Sequence, residues 1–321
     1  MKKILWLVVL LTYSTMQAVD YSGTDLISAD GFSIAADSTV TMNVPIPVAG
    51  AIDANDTGTL SLTGDAYLAA NSSFTNGIKL DGQEHTIHLF GNNTLPADKT
   101  IEITSSVTID GHSNKLDFNG CALFINGAEG TTLRLKNMTL YGVKDLVDNA
   151  SIYFSDTADQ KLILENCTVY LTDDYTFAGG ALDIEGSVVL VGDYEFIYQA
   201  EADCTIKKAS SLQLDMHVMF SYEPEDSLAT HLKFTDLTSS LVLRGGTLYV
   251  PSSIGINLVR GHLVIEHKSY FEQDWDSKTF GSGAGRINLG ANKRSDNMAI
   301  DVLPGAQLIT KAAAINYGQK N

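Results

Sequence analysis

Apolar and polar residues alternate in short runs along most of the chain after the first eighteen residues. Typical runs are T-L-S-L-T (59–63), T-I-H-L-F (86–90) and L-R-L-K (133–136), and each is followed by Gly or Asn. Gly and Asn are residues that tight turns prefer. Alternation with a period of two places every second side chain on the same face of a strand. The pattern predicts an all-β protein of many short strands, with no helix after the first segment.

The strand pattern also repeats at a fixed distance. Three pairs of segments align without gaps at one and the same offset: 78–91 with 107–120, 133–141 with 162–170, and 210–214 with 239–243. A fixed offset is typical of a solenoid, in which a unit that cannot bury its apolar face alone stacks on its neighbours. We therefore predict a parallel β-solenoid with about three strands and about 29 residues per coil, with loops of variable length between units.

The second aligned pair predicts a register between successive coils. An asparagine interrupts the alternation in both segments, and asparagine tolerates the left-handed backbone that a tight bend needs. The predicted contacts are Leu133 with Leu162, Leu135 with Leu164, Asn137 with Asn166, and Lys136 with Glu165.

This strand–Asn–strand corner resembles that of right-handed parallel β-helices of the pectate-lyase type. D-G-Q-E-H-T-I (81–87) and D-G-H-S-N-K-L (110–116) are similar to a common coil of those proteins, and T-G-T-L-S-L-T-G-D-A-Y (57–67) resembles the repeat of autotransporter passenger domains. The resemblance implies a right-handed parallel β-helix as a single domain over 19–321, with an N-terminal cap at 19–50. The chain departs from autotransporters in showing no C-terminal series of membrane-barrel strands.

The first eighteen residues differ from the rest of the chain. Lys2 and Lys3 precede an apolar run at 4–11, polar residues follow, and Ala18 ends the segment. This is the layout of a secretory signal peptide, and the apolar run is too short to be a stable membrane anchor. We therefore expect residues 1–18 to be a signal peptide, cleaved after Ala18, and the protein to be exported to the periplasm, the cell surface or the medium.

Charge narrows the choice of partners. Asp and Glu outnumber Lys and Arg by 38 to 21, which gives a formal net charge of −17 at pH 7. A negative field of this size repels nucleic-acid phosphates and anionic lipid surfaces. We therefore expect neither nucleic-acid binding nor membrane insertion.

The three cysteines, Cys121, Cys167 and Cys204, each stand in phase with apolar neighbours in a strand-like run. An odd number of cysteines in an exported chain does not make a disulfide framework. We predict that all three are buried, separate from one another and unbonded.

The resemblance to pectinolytic β-helices supplies an enzyme hypothesis. The hydrolases of that family use adjacent aspartates with histidine and basic residues from neighbouring coils, and the adjacent pair in this chain is Asp173–Asp174. The Gly-His pairs at 111–112 and 261–262 lack the glycine that the hydrolase motif places next. Because each element of the motif is incomplete, we predict that Asp173 and Asp174 form a solvated turn and assign no catalytic residue.

No cofactor or metal site is predicted either. The seven histidines are scattered along the chain. His85 and His88 lie three positions apart in a predicted strand, so alternation places them on opposite sides. A calcium site of the lyase kind needs carboxylates from several coils, and the sequence alone does not bring such a group together.

The strand rhythm breaks at 269–285, where aromatic and acidic residues are concentrated. The residues of interest in this segment are Phe271, Asp274, Trp275, Asp276 and Phe280. Aromatic rings on a loop can stack on sugar faces, and binding residues concentrate on loops. The pattern favours the alternative, in which the rings seal the core where the coil is interrupted. If the protein binds a glycan or a surface protein, we expect this inserted loop to be the ligand-binding loop.

These observations favour an exported β-helical protein of the adhesin or surface-scaffold kind, without catalysis. Two alternatives remain open: a polysaccharide lyase or hydrolase on the same fold, and a structural envelope component without a specific ligand. The fold does not choose among them, because function depends on the sites that a fold carries.

Overall fold

The computed structural model describes most of the predicted domain. The described residues are 19–22, 31–43, 48, 50–70, 72–155, 159–225, 230–251, 255–273, 286–289, 298–311 and 314–317. This part of the chain contains strands and turns but no helix, and so no helix that is long and apolar enough to cross a membrane. The all-β prediction is confirmed.

Short strands account for the regular structure of the described residues. The strands are β1 Val19–Ser22, β2 Gly31–Ser33, β3 Thr39–Asn43, β4 Ala51–Asp53, β5 Thr59–Leu62, β6 Ala66–Ala69, β7 Ser73–Phe74, β8 Ile78–Asp81, β9 Thr86–Phe90, β10 Asn93–Thr94, β11 Thr100–Ser105, β12 Val107–Asp110, β13 Lys115–Asp117, β14 Ala122–Ile125, β15 Thr132–Val143, β16 Ile152–Phe154, β17 Lys161–Leu171, β18 Tyr175–Phe177, β19 Ala181–Glu185, β20 Ser187–Val191, β21 Glu195–Tyr198, β22 Cys204–Ile206, β23 Ser211–Leu214, β24 Met219–Tyr222, β25 Leu232–Phe234, β26 Ser240–Leu243, β27 Thr247–Val250, β28 Ile256–Leu258, β29 Gly261–Ile265, β30 Lys268–Gln273, β31 Arg286–Leu289, β32 Met298–Val302, β33 Gln307–Lys311 and β34 Ala314–Tyr317.

These strands form five sheets of parallel strands. The N-terminal sheet has the order β1-β3-β5-β8-β11-β14-β16, and the C-terminal sheet has the order β18-β21-β24-β27-β30-β33. A 15-stranded sheet, which we call the long sheet, runs from β6 through β9, β12, β15, β17, β20, β23, β26 and β29 to β32, with side branches. Two three-stranded sheets, β2-β4-β7 and β28-β31-β34, complete the set. Neighbours in each sheet are non-consecutive in sequence, as expected for a chain that winds.

Consecutive strands fall on three faces of the coil in turn. β11, β12 and β13 follow one another along the chain, and they pair with β8, β9 and β10 of the preceding coil. In the next coil, β14 pairs with β11, while the first and second halves of β15 pair with β12 and β13. Stacked strands are separated by about 24 residues on average. The predicted parallel β-solenoid with three strands per coil is confirmed.

The long strands β15 and β17 each cover two faces because each bends at an asparagine. Asn137 and Asn166 have φ angles of 50° and 52°, in the left-handed region. The Asn166 Nδ2 atom donates to Asn137 Oδ1 at 3.3 Å, so the two corners stack. Gly186 makes the next corner with a φ of 62°, and a Cβ there would lie 2.0 Å from the Asn166 side-chain oxygen. Only glycine fits that position without displacing its neighbour.

The register predicted from two of the three aligned pairs is confirmed. The register partners are Leu133 with Leu162, Leu135 with Leu164, Leu212 with Leu241 and Leu214 with Leu243. On the outer surface, the Lys136 Nζ atom lies 3.4 Å from Glu165 Oε1, as the register requires. The offset found in the sequence therefore applies to these two pairs of neighbouring coils.

The first aligned pair, 78–91 with 107–120, does not stack at the predicted offset, and that register prediction is wrong. Ile78 pairs with Ile101 in the N-terminal sheet, whereas Val107 pairs with Leu133 in the long sheet. The two segments are therefore shifted by one face: β9, in the second half of 78–91, pairs with β12, in the first half of 107–120.

The segments 78–91 and 107–120 are similar in sequence because they form similar turns. Each segment turns a corner with Asp-Gly followed by two residues in the left-handed region, which have φ angles of 44° and 66° in one corner and 48° and 70° in the other. Similar corner geometry selects similar residues at two different corners of the coil. The alignment therefore reports a shared turn and not a stacked neighbour, and the average coil is shorter than the predicted repeat.

The core follows the axis of the solenoid and contains its largest side chains at β18, β21 and β24. Register pairing builds two columns of buried rings, which we call the aromatic columns: Tyr175, Phe196 and Phe220 in one, and Phe177, Tyr198 and Tyr222 in the other. Neighbouring ring centroids within a column are 5.2 to 6.0 Å apart. Parallel stacking therefore places like side chains in direct contact from coil to coil.

Cys121, Cys167 and Cys204 are buried and unbonded, which confirms the prediction. Burial raises the pKa of Cys121 and of Cys167 to about 12, and it raises the pKa of Cys204 as well. The thiolate is the reactive form of cysteine. These residues therefore act as small core side chains.

Candidate functional site

The predicted ligand-binding loop is only partly described. Phe271 belongs to β30, which pairs with β27 on one side and β33 on the other. The strand rhythm thus continues into the first residues of the predicted loop. Asp274, Trp275, Asp276 and Phe280 lie outside the described residues. Ligand binding by this segment stays a prediction from sequence.

Asp173 and Asp174 form an exposed turn after β17, which confirms the turn prediction. Asp173 Oδ1 accepts the backbone N–H of Asp174 at 3.0 Å, and Asp174 Oδ1 accepts the backbone N–H of Glu195 in the next coil at 3.0 Å. The two aspartates thus stabilise this corner of the coil. They also affect a neighbour, because burial and the negative charge of Asp174 raise the pKa of Glu195.

An open groove crosses three successive coils at the corner that follows β17, β20 and β23. Its lining includes Tyr170, Thr172, Asp193, Tyr194, Asp215 and Met216. We call this surface the tyrosine groove. Tyr170 and Tyr194 are each 39% exposed, and Met216 is 60% exposed. Since large apolar and aromatic side chains are mostly buried in folded proteins, a cluster of exposed ones marks a surface of interest.

Strand alternation explains why the rings face outward. Val169 and Leu171 are buried in β17, so Tyr170 between them points away from the core. Tyr141 is its register partner on the preceding coil, and the two ring centroids are 5.2 Å apart with an interplanar angle of 37°. The Lys115 Nζ atom lies 5.0 Å from the Tyr141 ring centroid. Tyr141 and Tyr170 are therefore held on rigid strands, and the aromatic surface extends over one more coil than the groove.

The chemistry of the groove suits a polar ligand with an apolar face. Asp193 and Asp215 flank the exposed rings, and Asp215 Oδ1 accepts the backbone N–H of Met216 at 2.9 Å. Carboxylates accept hydrogen bonds from hydroxyl groups, while a tyrosine ring offers a flat apolar surface and a polar tip. The same carboxylates repel anionic groups. The groove is thus suited to a neutral, hydroxyl-rich ligand.

A second cluster lies on the outer side of the long sheet, on β6, β9 and the corner after β12. It is a row of stacked rings formed by Tyr67, His88, Phe90 and His112, which we call the histidine row. Ring centroids are 4.9 Å apart for Tyr67–His88, 5.1 Å for His88–His112 and 5.4 Å for Phe90–His112. Asp110 is the register partner of His88. Among the described residues, His88, Asp110 and His112 are the group whose ligand atoms lie close enough, within 4.8 Å of one another, to hold a metal ion.

The prediction that His85 and His88 face opposite sides is wrong. His85 Nδ1 lies 3.9 Å from Asp65 Oδ1, and His88 Nε2 lies 3.8 Å from Asp65 Oδ2, so both imidazoles reach one carboxylate. β9 begins at Thr86, and His85 therefore belongs to the preceding corner. The two residues before it have φ angles of 44° and 66°, and strand alternation does not apply there.

Comparison of the chain with known protein families, with characterised proteins and with solved structures finds no match. The β-solenoid fold is established by its geometry. Its function must be argued from the tyrosine groove and the histidine row, since a fold alone does not define a function.

Proposed function

We propose that this is an exported, non-catalytic β-solenoid of the adhesin or surface-scaffold kind, and that it binds a neutral glycan along its tyrosine groove. The observation that carries the proposal is the exposure of Tyr170 and Tyr194 on successive coils beside Asp193 and Asp215. Tyrosine is enriched in binding surfaces because it gives a large contact area at a small cost in conformational entropy. A solenoid that presents such rings on successive coils is suited to a long, repetitive ligand.

Charge favours a neutral glycan over an acidic one. The chain carries a formal net charge of −17, and the groove is lined by the carboxylates of Asp193 and Asp215 together with His217. An acidic polysaccharide would bring further negative charge to this surface. This also weighs against the pectinolytic alternative, whose substrates are acidic polymers.

We expect the chain without residues 1–18 to bind a neutral polysaccharide, and we expect Tyr170→Ala to weaken that binding roughly 30-fold, or about 2 kcal/mol. The loss follows from removal of one of the two exposed tyrosine rings of the groove. Isothermal titration calorimetry against a panel of neutral and uronic-acid polysaccharides measures the effect.

Leu237→Ala is the matched control, because Leu237 is 48% exposed on a turn and does not line the groove. It should leave the affinity unchanged, and thermal unfolding should show that both variants fold. Equal affinity for Tyr170→Ala and the unmodified protein would contradict the proposal, as would binding only to uronic-acid polymers. Binding to no glycan in the panel would favour the structural envelope alternative.

Export is proposed from residues 1–18, whose order of charged, apolar and polar residues is that of a signal peptide. We expect protein recovered from outside the cytoplasm to begin at Val19. Mass spectrometry of the intact chain distinguishes this product from the full-length one. Recovery of the full-length chain in the cytoplasm alone would contradict the proposal.

One observation favours the enzyme alternative. Burial and the charge of Asp174 raise the pKa of Glu195, and burial also raises the pKa of Glu223. A carboxyl group with a raised pKa is a requirement for a general acid in glycoside hydrolysis. Release of reducing or unsaturated sugar ends by the protein, lost in Glu195→Gln, would replace the binding proposal by a catalytic one.

A further inference from the structure

We propose that His88, Asp110 and His112 form a binding site for one divalent late transition-metal ion, namely Cu²⁺, Ni²⁺ or Zn²⁺. The site lies on the histidine row, and none of its residues lines the tyrosine groove. The inference therefore goes beyond glycan binding, and it does not depend on it.

The two imidazoles are already placed as a chelating pair. His88 Nδ1 and His112 Nε2 are 2.9 Å apart. Two nitrogen ligands that are each ~2.0 Å from one ion and at right angles to each other are ~2.9 Å apart, as in the square-planar or tetragonal sites of Cu²⁺ and Ni²⁺. Without an ion, one imidazole must donate a hydrogen bond to the other. With an ion, the rings turn so that both lone pairs point to it, while the two nitrogens keep almost the same separation.

The coil register supplies the third ligand. Asp110 ends β12 directly over His88, and only 8% of its surface is exposed. Its Oδ1 atom accepts the backbone N–H of His112 at 3.1 Å and the Asn137 amide at 3.2 Å. Both bonds go to the same oxygen, so Oδ2 is the oxygen that is available to a cation. The corner asparagine of the next coil thus orients a carboxylate of this one.

The carboxylate of Asp65 faces the other ring nitrogen of His88. The Asp65 Oδ2 atom lies 3.8 Å from His88 Nε2, on the opposite side of the ring from His112. Asp65 is itself held, because its Oδ1 atom accepts the backbone N–H of Thr86 at 2.9 Å. At 3.8 Å the contact between Asp65 and His88 is electrostatic and not a hydrogen bond, and the negative charge beside the ring favours a cation at the site.

The neighbouring rings limit the motion of both imidazoles. Tyr67 stacks on His88 with an interplanar angle of 17°, and Phe90 stacks on His112 with an angle of 5°. Ligands whose rotamers are fixed by packing bind an ion with little loss of entropy. His112 is exposed at a turn, so solvent can reach the site and fill the remaining coordination positions.

The donor set selects the class of ion. Two imidazole nitrogens and one carboxylate oxygen suit Cu²⁺, Ni²⁺ and Zn²⁺, whereas Ca²⁺ and Mg²⁺ prefer oxygen ligands alone. Two carboxylates, Asp65 and Asp110, lie beside the imidazoles in a protein whose net charge is −17. The local field therefore attracts a cation.

The test uses the full domain after removal of any affinity tag. Isothermal titration calorimetry with Ni²⁺, Cu²⁺ and Zn²⁺, in excess Mg²⁺ and Ca²⁺ to occupy surface carboxylates, should show one ion bound per chain. His112→Asn should weaken binding at least tenfold. Asparagine suits the φ of 48° at this position, so the variant should keep its fold. His217→Asn is the matched control, since His217 is an exposed turn histidine with a φ of 72°, and it should leave the affinity unchanged.

Electron paramagnetic resonance of the Cu²⁺ form gives a second readout. The spectrum should show two nitrogen ligands in the unmodified protein and one in His112→Asn. The proposal is overturned if no ion binds in the presence of Mg²⁺ and Ca²⁺, or if His112→Asn and His217→Asn bind equally. It is also overturned if the copper spectrum shows oxygen ligands alone.

Discussion

Replacing Phe220 with alanine should lower the free energy of unfolding by about 3–5 kcal/mol. Phe220 is 1% exposed and lies in the aromatic columns, with its ring centroid 5.5 Å from that of Phe196 and 6.4 Å from that of Tyr198. Both neighbours are held on β21 by backbone pairing, so they cannot move far to fill the space. Equilibrium unfolding in urea, followed by circular dichroism, measures the loss.

Tyr170→Ala is the control for this effect, because Tyr170 is 39% exposed and sits outside the core. Its replacement should change the free energy of unfolding by less than about 1 kcal/mol. If the two variants lost equal stability, the aromatic columns would not be the packed core that their burial indicates.

Removing both lysines that face Asp183 should also cost about 3–5 kcal/mol of unfolding free energy. The Asp183 side chain is 6% exposed, and Oδ2 lies 2.9 Å from Lys161 Nζ and 3.0 Å from Lys207 Nζ. The three residues come from different coils. In the double variant Lys161→Met and Lys207→Met, the carboxylate keeps its burial and loses both partners, and an unpaired buried charge is costly.

Two comparisons isolate the cause of this loss. Lys136→Met breaks a pair with Glu165 whose side chains are 34% and 21% exposed, and it should cost less than about 1 kcal/mol. Adding Asp183→Leu to the double lysine variant should recover much of the stability, because the buried charge is then removed. No recovery in the triple variant would show that the loss comes from the lysine stems and not from the charge.

The fold could be predicted from sequence because short segments of the chain define its strands and its corners. Alternation in runs such as 133–136 defines which side chains face inward, and asparagine at 137 and 166 marks where a strand bends. The same reasoning failed for 78–91 and 107–120, which were predicted to stack at the common offset and do not. The Asp-Gly corner recurs on two different faces, and a local pattern does not say which face a segment occupies.

The sites were harder to predict because they depend on register between coils. Asp110 and His112 are close in sequence, but His88 joins them only because β9 pairs with β12 of the next coil. Because the loops between strands vary in length, the pairing of β9 with β12 cannot be inferred from the sequence. The outward direction of Tyr170 was available from alternation alone. Alternation does not show that Tyr194 and Met216, which lie in turns, are close to Tyr170.

The stacking of one coil on the next has a mechanical consequence. Each coil is held mainly by the coils above and below it, so a pulling force applied to the chain can peel coils from an end while the rest stay folded. A coil of about 24 residues releases about 80 Å of extended chain when it detaches. A protein of this kind, held between a surface and a ligand, would lengthen in steps under load and dissipate work at each step. The groove and the histidine row, near the middle and the N-terminal part of the stack, would then lose their geometry at different extensions.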